Sequence, residues 1–292
     1  MNALSDRKNS LNVSFGTSIT QRRSQDIELK MSNNSKIQLF DSHIHLDDER
    51  FAENLDQLLS NAMNHHVTEW MIPATTANTF GNIQSITQQY KGCYAAFGLH
   101  PYFIHDHTEQ DLMTLKDAII HHRPAAIGEC GLDNMIAEPD LEKQLKLFKA
   151  HVQLALEFDL PLIIHARKTE DLILKEIRKY PTLRGVFHSF SGSLQQAEIA
   201  LRHNFLLGFG GTITFERARK LRTILKHLSL NDFIIETDAP FQRGAYRDNG
   251  LNYPADLLEI AKSIAIIREE PLETIAHATK TNAQKLFKLK DR

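Results

Sequence analysis

From residue 37 to residue 237, short runs rich in Val, Ile, Leu and Phe alternate with stretches whose apolar residues recur at steps of three and four. This rhythm is the strongest constraint on the fold. Strands buried on both faces read as nearly continuous apolar runs, and parallel strands need a crossover, usually a helix, between them. The runs fall at 37–42, 67–73, 94–98, 125–128, 160–164, 184–187, 205–209 and 232–237. In 141–158, Leu145, Phe148, Val152 and Ala155 form one apolar stripe, and similar stripes occur near 53–66, 110–121, 169–179, 193–203 and 215–228. The tail, 254–289, reads as two or three helices, with Pro271 marking a first turn. Eight such units over about 255 residues predict an α/β chain folded as a (β/α)8 TIM barrel. A doubly wound open sheet would need a Gly-rich phosphate loop after the first strand, and Asp41-Ser42-His43-Ile44-His45 is not one.

Composition narrows the class. The 292 residues are 42% apolar and 24% charged, ordinary for a globular protein. No apolar stretch approaches the ~20 residues that cross a bilayer, so no membrane association is expected. The net charge of −2 argues against a broad footprint for duplex DNA. It leaves a phosphate substrate open, because bound cations add local positive charge that a residue count misses. With two cysteines, Cys93 and Cys130, and no export signal, the reading is a reduced, cytoplasmic protein; a soft metal contact from Cys130 is open. Residues 1–36 are dominated by Ser, Asn, Arg and Lys and read as a disordered polar arm, with Met31 a possible alternative start. Residues 37–292 then form the single folded domain.

Five of the apolar runs lead into metal-binding side chains: His43 and His45, Glu129, His165, His188, and, through Glu236 and Thr237, Asp238. If all five are strands of one parallel barrel, these groups collect at one mouth, where such barrels do their chemistry. Six N/O ligands exceed a single tetrahedral zinc and suit a pair of divalent ions sharing a carboxylate.

Each residue type has its reason. His43 and His45 are two apart, so on a strand they share a face, and neutral imidazoles there each keep one nitrogen for a metal. Asp41 faces the same way and either ligates weakly or orients a histidine. Glu129 lies between Gly128 and Gly131, which let backbone pass close to a site, and its carboxylate can bridge two ions. Asp133 is expected to accept from a ligand histidine, and Glu236 is open to the same role. Arg167, two residues after His165, is either a fork for phosphate or carboxylate or a helix-start ion pair. Ser189, Ser191 and Gly192 before a helix suggest an anion-friendly turn. Asp238 can ligate an ion and accept a proton from bound water, whose pKa a metal lowers to about 7. His100, in Gly98-Leu99-His100-Pro101, is either a donor above the metals or a turn histidine. The histidines at 65, 66, 121, 122 and 151 read as surface or packing residues.

Together, Asp41-Ser42-His43-Ile44-His45-Leu46, Gly98-Leu99-His100-Pro101, Ile127-Gly128-Glu129-Cys130-Gly131-Leu132-Asp133, His165-Ala166-Arg167, His188-Ser189-Phe190-Ser191-Gly192 and Glu236-Thr237-Asp238-Ala239-Pro240 resemble the TatD family of metal-dependent hydrolases. These are deoxyribonuclease-like members of the amidohydrolase superfamily. The resemblance runs from about residue 38 to the C-terminus, six motifs in register, with Gly208-Phe209-Gly210-Gly211-Thr212-Ile213 adding to it. It implies a TIM barrel with two divalent ions (Mg, Mn or Zn) per chain. His43, His45, Glu129 and Asp238 would hold one ion, and Glu129, His165 and His188 the other. The implied activity is phosphodiester hydrolysis, as a 3′-to-5′ deoxyribonuclease on DNA ends or single strands, with no obligate protein partner. Asp238, Glu129, His100 and Arg167 would be its catalytic groups, and Phe241, Tyr102 or Phe103 would stack on a terminal base. An amide, lactone or ester hydrolase of the same superfamily is one alternative; a non-catalytic, metal-holding nucleic-acid scaffold is another. The chain departs from the family pattern at Asn134-Met135 and at Phe241-Gln242-Arg243-Gly244, both facing the expected substrate opening.

Overall fold

A computed structural model describes residues 37–289; the expected arm at 1–36, with Met31, lies outside the described residues. Eight parallel strands form one sheet in sequential order: β1 Leu39–Asp41, β2 Val67–Pro73, β3 Cys93–Phe97, β4 Ala126–Asp133, β5 Leu162–Arg167, β6 Gly185–Phe187, β7 Phe205–Phe209 and β8 Phe233–Ile235. The sheet curls until its edges meet. The Ser42 amide donates to the Ile235 carbonyl at 3.0 Å and the Asp238 amide to the His43 carbonyl at 2.9 Å. Closure satisfies the backbone groups that an edge strand would leave open. The protein is a (β/α)8 TIM barrel.

Helices follow the strands: α1 Glu49–Ala52, α2 Leu55–Asn64, α3 Phe80–Gln89, α4 Glu109–His122, α5 Leu141–Phe158, α6 Glu170–Ile177, α7 Leu194–Arg202, α8 Arg219–His227, α9 Leu257–Arg268 and α10 Leu272–Leu286. The stripe over 141–158 is α5 to the residue. The stretch near 53–66 is α2, Leu55–Asn64, preceded by the separate single turn α1. The stretch at 215–228 begins as a helix only at Arg219, because Phe215 has extended backbone after a 3-10 turn at Gly211–Thr214. Helix α3 was not marked by the pattern; it buries only Phe80, Ile83 and Ile86 among polar neighbours.

Two apolar layers hold the barrel. One residue from each of seven strands (Phe40, Met71, Ala96, Ala126, Ile163, Val186, Ile234) packs with Ala283, Leu286 and Phe287 at the end of α10. All of these but Met71 precede by two to four residues the candidate site residue of the same segment (His43, His100, Glu129, His165, His188 or Asp238), so this layer lies beneath the site. Alternate residues such as Leu39, Ile72, Phe97, Leu162, Phe187 and Phe233 join the larger cluster under the helices. Burying each such side chain contributes about 1.5–3 kcal/mol. The interior at the strands' C-terminal ends is polar instead.

Candidate metal centre

Five imidazoles converge on one carboxylate. Glu129, 2% exposed, has Oε2 3.1 Å from His43 Nε2 and 3.9 Å from His45 Nε2. Its Oε1 is 3.0 Å from His165 Nδ1, 3.2 Å from His100 Nε2 and 3.5 Å from His188 Nε2. The two oxygens therefore divide the histidines into two groups. Asp238 Oδ1 joins the first, 3.6 Å from His43 Nε2 and 3.5 Å from His45 Nε2. All six expected ligands are brought together, with His100 beside them.

Local structure aims each group. His165 lies within β5, one turn of the pleat beyond Ile163. His188 directly follows β6, and His43, His45 and Asp238 lie just past β1 and β8 rather than on them. The shared face of His43 and His45 is thus set by the loop, in which the Ile44 amide donates to Met71 and the His45 amide to Ala239. Asp238 takes φ 56°, so its direction follows from a left-handed turn and not from strand alternation with Glu236. Strand β4 does not stop at residue 128 but runs through Glu129 to Asp133, with a register shift against β5 between Ile127 and Cys130. Irregular pairing of this kind re-aims a side chain: Glu129 faces the cluster, and Cys130 joins the outer apolar layer with its thiol toward Ile163. Cys130 is therefore no metal contact. Gly131 permits the close β4–β5 approach, since a Cβ there would stand 2.0 Å from the His165 carbonyl oxygen.

Hydrogen bonds fix the proton positions. Both nitrogens of His165 stand 3.0 Å from a carboxylate oxygen, Nε2 from Asp133 Oδ2 and Nδ1 from Glu129 Oε1; with a cation held between Nδ1 and Glu129, Nε2 would be the donor to Asp133. Glu236 Oε1 is 3.1 Å from His188 Nδ1 and also accepts from the Ser189 amide, leaving His188 Nε2 for the cluster. His100 differs: its Nδ1 accepts from the Tyr102 amide at 2.9 Å, so its proton sits on Nε2 and it points a donor, not a lone pair, into the site.

The electrostatics suit cations. Burial alone would disfavour the charged form of Glu129, yet His100, His43 and His188 hold its carboxyl well below the usual range. Burial lowers His43. For His188 burial acts the same way, but Glu236, Glu129 and Asp238 together raise it to about 10. Carboxylates that favour a proton on a buried imidazole favour a cation there for the same reason. Nδ1 of the fully buried His43 lacks a hydrogen-bond partner, and Nε2 faces only the oxygens of Glu129 and Asp238. An unpaired buried polar atom costs about 1–3 kcal/mol, so this donor set fits a metal.

Other expected roles are revised. Asp41 neither ligates nor orients an imidazole: its oxygens accept from the Thr237 amide (2.9 Å), the Thr237 hydroxyl (2.6 Å) and the His43 amide (3.3 Å). It braces the β1–β8 closure, and burial raises its pKa to about 8. Arg167 has a side chain 59% exposed and 3.8 Å from Asp133 Oδ2, in the wall of a cavity that His165 and His188 also line. The turn before α7 offers less to an anion than expected, because a capping box between Ser193 and Gln196 occupies its amides.

Gln144 and Gln242 escaped the sequence reading, and His151, read there as a surface or packing histidine, is a buried one with a defined partner. On α5, His151 Nε2 accepts from the Leu99 amide at 3.0 Å, and Gln144 pairs with both the amide (2.8 Å) and the carbonyl (3.1 Å) of Asp133. Gln144, Phe148 and His151 recur at helical spacing and are all buried; polar residues on an apolar stripe were the available signal. After β8, Gln242 donates to Asp238 Oδ2 at 2.6 Å and accepts from the Ser189 hydroxyl at 2.7 Å. A cavity of about 500 Å³ opens on the cluster, walled by Tyr102, Phe103 and Phe241.

Barrel, buried imidazole–carboxylate cluster and open cavity together define a metal-dependent hydrolase. The sequence profile of the TatD related DNase family matches residues 40–288, and the chain belongs to that family. It is 36% identical over 251 residues to a protein of Escherichia coli K12 described as the uncharacterized metal-dependent hydrolase YjjV, covering 85% of this chain and 96% of that one. It is 31% identical over 261 residues to a protein of Erwinia billingiae named 3′-5′ ssDNA/RNA exonuclease TatD, covering 86% and 99%. The crystal structure of the E. coli YjjV TatD homolog superposes with a TM-score of 0.84 at 33% identity, over 87% of this chain and all of that one. Among the described residues no helix is long and apolar enough to cross a membrane.

Proposed function

We propose that this chain hydrolyses phosphodiesters, removing nucleotides from the 3′ end of single-stranded DNA with two divalent cations at the cluster. The observation that carries the reading is the division of histidines between the two oxygens of Glu129. A carboxylate that presents one oxygen to His43 and His45 and the other to His165 and His188 suits a bridge between two cations. The relative named as a single-strand exonuclease supports the choice of substrate.

On this reading His43, His45, Glu129 and Asp238 hold one cation, and Glu129, His165 and His188 the other. Such cations neutralise phosphoryl charge and lower the pKa of water to about 7. Asp238, held near 2 by His188, His45 and His43 against the effect of burial, stays ionised to take the proton of the attacking water. Gln242 occupies Asp238 Oδ2 and leaves Oδ1 toward the histidines. His100 donates from Nε2 to a phosphoryl oxygen, a role worth about 10²–10³ in rate when a single such donor is removed. Tyr102 and Phe241, both exposed on the cavity wall, offer faces for a base.

The test is hydrolysis of a 3′-labelled single-stranded oligonucleotide by the Mn²⁺-loaded protein, beside ester and lactone panels. Release of 5′-mononucleotides, abolished in Glu129→Ala, is expected. Carbonyl-ester turnover without phosphodiester turnover would refute the assignment.

A further inference from the structure

Two cavities meet at the metal cluster, and their walls differ in charge. His165, His188 and Gln242 line both. The first, about 500 Å³, carries the carboxylates of Asp47 and Asp48 beyond those of the cluster, with the aromatic rings of Tyr102, Phe103 and Phe241. The Asp48 carboxylate is already engaged by Arg50, whose guanidinium lies 4.5 Å over the Phe241 ring; Asp47 Oδ1 has no hydrogen-bond partner. The second, about 410 Å³, has no carboxylate in its wall among the described residues; Glu170 and Asp133 stand behind it, 3.3 Å from the Ser191 hydroxyl and 3.8 Å from Arg167. It offers the exposed Arg167 and the Thr212 hydroxyl, the Ser189 and Ser191 hydroxyls donating to Gln242 and Glu170, and Lys220 at its rim donates to the Ser191 carbonyl at 2.8 Å. Helix α8 and the turn before it also carry exposed Arg217, Arg219 and Lys226, with Glu216 among them.

We propose that the substrate strand lies across the cluster with a fixed polarity: the terminal nucleoside in the carboxylate-lined aromatic cavity, the retained strand in the Arg167–Lys220 cavity. This inference rests on the phosphodiesterase reading and adds the direction of the strand. On one side of a scissile phosphate next to a 3′ end stands a nucleoside with no further phosphate; on the other stands a chain with one negative charge per nucleotide. The unpaired Asp47 carboxylate tolerates the first and repels the second, while the carboxylate-free wall with its cations suits the polyanion. Water adds its oxygen to phosphorus, the bond from phosphorus to the O3′ of the retained strand breaks, and that O3′ takes a proton from solvent water to leave as an alcohol, solvent being repaid when Asp238 releases the proton it received. The proton lost by the water goes to Asp238. The terminal nucleotide departs as a 5′-monophosphate from the aromatic side.

The experiment compares a dinucleotide with two single-stranded pentanucleotides, one ending in a 3′-hydroxyl and one in a 3′-phosphate, using Mn²⁺-loaded protein at fixed salt. A 3′-phosphate would stand against Asp47, so wild type should cleave that pentamer about tenfold more slowly, and Asp47→Asn should narrow the gap. Lys220→Glu should lower kcat/KM for the 3′-hydroxyl pentamer about tenfold relative to the dinucleotide, which has no upstream phosphate. Equal rates on the two pentamers, or an equal effect of Lys220→Glu on pentamer and dinucleotide, would overturn the strand assignment while bis-p-nitrophenyl phosphate was still hydrolysed. Failure of wild type on every one of these diesters would instead bring down the phosphodiesterase reading, and the strand assignment with it.

Discussion

Replacing His151 with glutamine tests how α5 supports the site, through a titration that belongs to this ring. His151 is fully buried on α5; its Nδ1 donates to the Leu147 carbonyl at 2.9 Å and its Nε2 accepts from the Leu99 amide at 3.0 Å. Only the neutral ring can do both, and burial pushes its pKa down to about 4 from an ordinary 6.5. The sign follows from linkage. Between pH 6.5 and pH 4 the unfolded chain carries a proton on this ring that the folded chain refuses, so stability is full above 6.5 and falls as pH drops through that window. From pH 7 to pH 5 the change is about 1.4 pK units, or about 2 kcal/mol at 1.36 kcal/mol per unit. Glutamine can accept from Leu99 but does not titrate. Urea unfolding of wild type and His151→Gln at both pH values should therefore show the variant gaining about 2 kcal/mol on wild type at the lower pH. A gap between the two proteins that is independent of pH would refute the argument. A leucine at 151 leaves the Leu99 amide buried without an acceptor, a loss of about 1–3 kcal/mol. It should also slow turnover through displacement of the adjacent His100.

Other perturbations probe the cluster and the packing around it. Glu236→Ala removes the acceptor that directs His188 Nδ1, and metal affinity measured against a chromophoric chelator should fall about 10–100-fold; Glu236→Gln, which keeps an acceptor, should fall less, and equal losses would argue against orientation as the cause. Burial pushes the Cys93 thiol up to about 12 and the Cys130 thiol well above its ordinary range, so Ellman's reagent at pH 8 should titrate neither in the folded protein and both in urea. Rapid reaction of Cys130 in the folded, metal-loaded protein would contradict the packing of β4.

The barrel was legible because its constraint is local and repeated. Each apolar run and each helical stripe announces itself within a dozen residues, and α5 fell where Leu145, Phe148, Val152 and Ala155 placed it. The site was partly legible for the same reason: a parallel barrel delivers whatever ends its strands to one face, so His43, His45, Glu129, His165, His188 and Asp238 were expected to meet. What failed was inference from strand alternation near the strand ends. Glu129 faces the cluster through a register shift, and Asp238 through a left-handed turn; neither follows from a period of two.

Roles that depend on a partner distant in sequence were hidden. Asp41 was grouped with the histidines by spacing, but Thr237, 196 residues away, claims its oxygens. His100 could be a ligand or a donor until the Tyr102 amide took Nδ1 and left the proton on Nε2. His151 and Gln144 read as ordinary helix residues until α5 laid them against the Leu99 and Asp133 backbones. By itself the sequence determined which side chains end the strands, and hence the kind of chemistry available at the barrel mouth. Only the tertiary structure decided which nitrogen of each imidazole is free, which carboxylates are already spent on hydrogen bonds, and which wall of the mouth carries positive charge. Those properties depend on distances between segments, and a one-dimensional pattern holds no distances.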